Sequence, residues 1–169
     1  MDVFEAIRTL LAVREYEPRP VPDEVITRIL EAGRLTASGM NAQPWHFVVV
    51  RDPAMLRRLA AAAPSGPYVA SAPLAVVVVL ETDTRMALSD GSRAIQDMLL
   101  AAWGEGVGGN WVGFGGLDEV KALLGIPEEL EVLAMLPFGY PAQAVGKGDK
   151  KRKPLAEIAH RERWGEPFG

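Results

Sequence analysis

The 169-residue chain predicts an α+β fold with one sheet and a helix buried at its centre. Three observations carry this. The run Leu74-Ala75-Val76-Val77-Val78-Val79-Leu80 is apolar without alternation, the pattern of a central strand covered on both faces. Ala94, Ile95, Met98, Leu99, Ala101, Ala102 and Trp103 make the next helix apolar nearly all round, and such a helix is buried. The order of helices and strands lacks regular βαβ alternation, which disfavours a doubly wound parallel sheet. Residues 1–169 read as one domain, long enough to bury a real core.

Each element has a local reason. Asp2 to Leu11 has helical periodicity, with Val3, Ala6, Ile7, Leu10 and Leu11 on one face. Glu17-Pro18-Arg19-Pro20-Val21-Pro22 forces extended backbone. Pro22-Asp23-Glu24 opens a second helix that runs to about residue 35, with its acids at the positive end of the dipole. His46 to Val50 reads as a buried strand, and Asp52-Pro53 starts a helix that Pro64-Ser65-Gly66-Pro67 ends. Asp90 is expected to cap the apolar helix, and Gly106 to stop it. Asn110 to Phe114 reads as a strand among glycines, Asp118 to Leu124 as a short helix closed by Gly125, and Val132 to Leu136 as the last core strand, ended by Pro137 and Gly139. Residues 141–169 form a tail whose Trp164 and Phe168 need a surface, either on their own domain or on a partner subunit.

Composition narrows the chemistry. Apolar residues make up 49% and charged residues 24%, as in a soluble globular protein. A net charge of −4, with a basic run only near 147–153, argues against nucleic acid as a partner. The absence of cysteine excludes disulfides, zinc–thiolate sites, iron–sulfur clusters and a thiol nucleophile, and two histidines make a multi-histidine metal centre improbable. The acidic start, Met1-Asp2-Val3-Phe4-Glu5, is no secretory signal, and the apolar run 73–80 is too short for a membrane span. The expectation is a cytoplasmic protein.

Four segments carry candidate chemistry. The hinge from Ala37 to Trp45 sets Ser38, Asn41 and Gln43 between a helix and a strand. Hydroxyls and amides donate and accept hydrogen bonds without charge, which suits a flat heterocycle such as a flavin; the same residues also suit a plain turn. Arg14, just past the first helix, can clamp a phosphate or lie in solvent. Seven glycines between Gly104 and Gly116 allow backbone N–H groups close approach to a ligand, or simply a tight helix-to-strand turn. The pattern is neither a dinucleotide fingerprint nor a P-loop. In Lys147 to Pro154, Lys150 and Arg152 fall on one side if the backbone is extended, an anion site or a solvated loop. His46 reads as structural. With no nucleophile–base set visible, any chemistry belongs to a bound cofactor.

Taken together, the chain resembles the nitroreductase family of flavoproteins. The matching pieces include Ala12-Val13-Arg14-Glu15-Tyr16, Pro20-Val21-Pro22, Ile29 to Leu35, Ser38 to Asn41 and Gln43-Pro44-Trp45-His46-Phe47-Val48-Val49-Val50. Arg93 to Ala102, Gly106-Val107-Gly108, Gly139-Tyr140-Pro141, Arg152-Lys153-Pro154-Leu155 and Glu162-Arg163-Trp164-Gly165 follow in order. The resemblance implies a central, mostly antiparallel sheet flanked by helices, and a homodimer with FMN at the subunit interface. It places Arg14, Lys150 and Arg152 at the FMN phosphate. Ser38, Met40, Asn41 and Gln43 would lie along the ring and ribityl chain, reaching in from the other subunit. Gly113 and Phe114 would present backbone groups near flavin N5, with Ser65 and Tyr68 as further contacts, and the tail from Pro141 would embrace the partner subunit. One departure stands out. Leu10, Leu11 and Ala12 occupy places where family members commonly carry basic residues and a serine, so either Arg8 or the Lys150–Arg152 pair stands in, or FMN is held weakly or a different cofactor is preferred. The implied activity is hydride transfer from NADH or NADPH through FMN to a nitroaromatic, quinone or activated alkene. The alternative is a non-catalytic flavin-binding dimer that stores or senses the ligand.

Overall fold

A computed structural model describes residues 1–82, 85–113, 115, 117–146 and 150–168. Its elements in chain order are helix α1 (Val3–Thr9), helix α2 (Asp23–Arg34), strand β1 (Trp45–Val50), helix α3 (Pro53–Ala62), strand β2 (Leu74–Glu81), helix α4 (Ala87–Gly104), strand β3 (Gly108–Gly109), helix α5 (Leu117–Leu124), strand β4 (Leu130–Gly139) and helix α6 (Leu155–Ile158). Short 3₁₀ turns cover Gly39–Asn41 and Pro67–Ser71. The strands form one antiparallel sheet in the order β1-β2-β4-β3. The fold is α+β, an antiparallel sheet with helices on both faces.

Strand β2 explains its own lack of alternation. Leu74, Val76, Val78 and Leu80 pack on one face with Ile29 of α2 and Ala94, Ile95 and Met98 of α4. Ala75, Val77 and Val79 pack on the other with Leu56 and Leu59 of α3 and Val120 of α5. Both sides of the pleat are therefore dry. Between Val78 and Val79 the β2–β4 register shifts, so that Val78 faces Ala134 and Val79 faces Val132. Leu133 is the extra residue of a bulge, which bends β4 and strengthens its twist.

Several sequence expectations are corrected. The first helix stops at Thr9 rather than Leu11, and only Ala6 and Thr9 of it are buried; Val3, Phe4 and Ile7 are exposed. Strand β1 is an edge strand flanked by β2 on one side; Trp45 and Val50 are buried, but His46 to Val49 between them are exposed or half-exposed. His46, at this edge, meets Glu81 at 3.1 Å. Asp90 does not cap α4: the helix begins earlier, at Ala87, and the carboxylate is buried inside it. Helix α4 buries one side only within a single chain, leaving Leu88 64% exposed. The strand expected over 110–114 shrinks to Gly108–Gly109, with an isolated Val112–Met135 bridge beyond it; Phe114 lies outside the described residues. Strand β4 runs on through Pro137 to Gly139. That proline is tolerated because, among the described residues, it pairs with Ala75 of β2 alone, while β3 pairs with Phe138 and Gly139.

The segment after α1 is stitched to the end of β4. Val13 N–H donates to Gly109 O (3.0 Å), Glu17 N–H to Tyr140 O (2.8 Å), and Ala142 N–H to Glu15 O (3.0 Å). Tyr16 anchors the stitch: it is buried, its hydroxyl donates to Val13 O at 2.7 Å, and burial pushes the phenol well above its ordinary pKa. This arrangement brings residues 10–14 beside the start of the tail.

Candidate functional site

A groove of about 800 Å³ opens between the first segment of the chain, helix α4, the turn after β3 and the tail. Phe4, Ile7, Arg8, Leu10, Leu11 and Ala12 form one wall; Gln96 and Leu99 of α4, with Gly109, Asn110 and Trp111, form another. Lys150 and Arg152 also line it. Lys150 donates from Nζ to Ile7 O at 2.5 Å, which draws the tail onto α1. Desolvation, and secondarily the nearby Arg152 charge, hold the Lys150 ammonium below its ordinary pKa. Two cations kept close, one of them partly desolvated, favour an anion between them. Arg8 lines the same groove but is engaged by Glu5, to which it donates from Nε and Nη2 at 2.8 Å each.

Asn110 and Tyr68 meet at the back of this region. Asn110 is buried and donates from Nδ2 to the Tyr68 hydroxyl at 2.5 Å. Above Tyr68 lies Arg14, its guanidinium carbon 5.8 Å from the ring centroid. Arg14 opens into a neighbouring hollow with Glu15, Gln143 and Val145, not into the 800 Å³ groove.

The hinge is a second, separate cluster. Asn41 N–H donates to Ser38 O (3.1 Å), Gln43 N–H to Ser38 Oγ (3.0 Å), and the Gln43 side chain to Asn41 O (3.2 Å). Met40, Asn41 and Gln43 have φ of 52°, 59° and 50°. Non-glycine residues in this left-handed region cost on the order of 1 kcal/mol or more each and persist only where their surroundings hold them. The Met40 side chain is wholly exposed, and Asn41 and Gln43 are exposed too. A loop that spends strain to present apolar and amide groups outward has the form of a contact surface.

The residues expected at the site and described thus fall into four places within one chain. Lys150 and Arg152 share the large groove; Arg14 sits in the adjoining hollow; Ser38, Met40, Asn41 and Gln43 sit on the hinge and do not line that groove. Gly113 is half-buried beside the Trp111 indole, where an added Cβ would stand 2.4 Å from Nε1. Ser65 lies in the exposed turn before the second 3₁₀ segment. Sequence reasoning missed Gln96, Leu99, Asn110 and Trp111 as groove residues. The signal available was the polar–aromatic pair Asn110-Trp111 enclosed by glycines.

A family model described as the nitroreductase family matches residues 11–82 and 67–140. The chain belongs to the nitroreductase family. A relative from Methanothermobacter thermautotrophicus, provisionally named an NADH dehydrogenase/NAD(P)H nitroreductase, is 37% identical over 157 residues, covering 88% of this chain and 82% of its own. The crystal structure of a protein with the same provisional name from Bacteroides thetaiotaomicron superposes with a TM-score of 0.88 at 32% identity, covering 96% and 98% of the two chains. The NADPH:FMN oxidoreductase of Vibrio harveyi, solved with NAD⁺, superposes with a TM-score of 0.85 at 27% identity, covering 98% of this chain and 79% of that one. This member of the family is an NAD(P)H-dependent oxidoreductase, and its described residues contain no helix long and apolar enough to cross a membrane.

Proposed function

We propose that the protein works as a homodimer that holds FMN between two copies and carries electrons from NADH or NADPH to a nitroaromatic, quinone or activated alkene. The observation that carries this reading is the 800 Å³ groove, which joins apolar walls to a cationic end made by Lys150 and Arg152. Its volume lies within the roughly 300–1,000 Å³ of small-molecule and cofactor sites. A phosphate suits Lys150 and Arg152, because it relieves their mutual repulsion and accepts from both.

Lys150 and Arg152 would hold the phosphate, and Arg14 would add charge from the adjoining hollow. The hinge of the second copy would close the groove, with Ser38, Asn41 and Gln43 bonding the polar edge of the ring and ribityl chain while Met40 covers its face. Gly113 and Phe114 would offer backbone groups near N5. When bound, FMN supplies hydride acceptance at N5 and donation to the second substrate. The protein positions the reactants, excludes water from the ring and favours the charge of the reduced state. Apolar residues exposed in the single chain support the pairing: Phe4 in the groove wall, Leu88 in the first turn of α4, and Leu155, Ile158, Trp164 and Phe168 along the tail. In a two-fold dimer the tail, residues 141–169, would lie across the other copy.

Steady-state assays with FMN, both nicotinamides and a panel of these acceptors are expected to give turnover that depends on added or bound flavin. No turnover by flavin-loaded protein on any acceptor contradicts the reading.

The Lys150 shift predicts a pH dependence. The ammonium is the binding form, and its lowered pKa means that it loses its proton at a lower pH than an ordinary lysine, whose value is 10.5. Arg152 stays charged throughout. FMN affinity is therefore expected to fall as pH rises towards 10.5, while Lys150→Arg keeps it level. Flavin-fluorescence titrations across this alkaline range check the prediction; a flat wild-type profile contradicts it.

A further inference from the structure

Asp90 is an acid with no solvent exposure, seated inside α4. Its Oδ2 accepts from Gly39 N–H at 3.0 Å, and its Oδ1 accepts from the half-exposed Arg93. Two turns on, Asp97 accepts from Thr36 Oγ1 at 2.6 Å. Positions 90 and 97 share a face of the helix, so α4 grips the chain at Thr36, just before the hinge, and at Gly39, immediately before the left-handed run. Gly39 is fitted to this grip: a Cβ there would stand 3.2 Å from Met86 Cγ and 3.7 Å from Asp90 Oδ2. Apart from the Gly39–Asp90 bond, the hydrogen bonds of the run among the described residues link Ser38, Gly39, Asn41, Ala42 and Gln43 to one another. An outside anchor is needed to hold them against strain.

We propose that Asp90 is a positioning residue for the flavin site: through Gly39 N–H it fixes the conformation in which Met40, Asn41 and Gln43 project outward to the ligand. This rests on the flavin reading above. The carboxylate itself touches neither flavin nor substrate; it acts through the backbone. Its burial shields the bond from water, and the contact with Arg93 orients the carboxylate.

The test compares wild type, Asp90→Leu (no acceptor) and Asp90→Asn (acceptor kept, charge removed). Gly39 amide exchange is measured on flavin-free protein by NMR, and FMN affinity by fluorescence titration. Loss of a hydrogen bond to a charged acceptor corresponds to about tenfold or more, so Asp90→Leu is expected to speed Gly39 exchange and weaken FMN binding by at least about that factor. Asp90→Asn is expected to stay within about threefold of wild type in both, a rescue that loss of a generic buried charge would not produce. Folded Asp90→Leu with unchanged exchange and affinity overturns the proposal. If Asp90→Leu does not fold, Asp90→Asn decides: retained affinity and Gly39 protection support it, and a roughly tenfold loss in folded protein overturns it. Wild type that binds no FMN defeats the flavin reading instead, and is distinguished because Gly39 exchange still responds to Asp90→Leu.

Discussion

Replacing Lys150 and Arg152 together with alanine is expected to weaken FMN binding about 100-fold. A hydrogen bond to a charged group contributes roughly 1.5–3 kcal/mol. Both groups lie near solvent, which screens them, so the lower end applies, at about tenfold for each. The flavin-free fold should be nearly untouched. Among the described residues, exposed Arg152 donates to the neighbouring Lys151 O (3.0 Å) and Lys150 gives up its bond to Ile7 O. Fluorescence titration of each single variant and the double variant, with thermal unfolding of the same flavin-free samples, separates binding from stability. Raising the salt concentration should erode wild-type affinity more than that of the double variant, because the removed term is the electrostatic one. A double variant that binds FMN within about threefold of wild type, a difference under 1 kcal/mol, contradicts the assignment of the phosphate end.

Phe138→Ala is expected to remove about 3–5 kcal/mol of stability, the cost of truncating a buried aromatic that its surroundings cannot replace. Phe138 is fully buried on β4, opposite Leu74 of β2, and belongs to the core shared by α2 and α4. Gly109 of β3 lies against its ring, where an added Cβ would stand 2.8 Å from Cδ1 and Cε1. The backbone of β3 is pinned there by pairing with β4, so the cavity cannot readily collapse. Against a typical total of about 5–15 kcal/mol, this is a large fraction. The groove would suffer with it, because Gly109, Asn110 and Trp111 continue directly from the strand that packs on this ring. Urea unfolding of flavin-free protein is the suitable measurement, since bound ligand adds stability of its own. A loss below about 1 kcal/mol would mean that the core relaxes around the site.

Much of the fold was legible because the local signals agreed with the tertiary outcome. Asp52-Pro53 announced α3, and the Asp52 side chain does accept from Met55 N–H at 2.8 Å. The unbroken apolar run of β2 announced a strand with two dry faces. What misled were signals whose meaning depends on neighbours distant in sequence. The apolar run from Phe47 to Val50 reads as buried, but an edge strand and a central strand can carry the same composition. Asp90 looked like a cap because an acid near a helix start usually is one. Its partner, Gly39, lies 51 residues away and gives no local sign. The strand expected at 110–114 failed because β3 spends its pairing on two glycines that can lie flat against Val13 and Phe138.

The candidate site divides in the same way. Lys150 and Arg152 stand out in sequence as alternate cations, and they do meet in one groove. That Asn110 and Trp111 would share that groove depends on the turn after β3, which propensity does not encode. The hinge residues stand out by type, yet within one chain they do not line the cationic groove. Their part in the account requires a second copy.

Sedimentation equilibrium of the purified protein, followed at once in the protein band and in the visible flavin band, tests the central claim most directly. The account predicts one species of twice 18.3 kDa that carries the flavin absorbance. A species of 18.3 kDa carrying that absorbance, or a dimer that remains colourless after incubation with FMN, would contradict it.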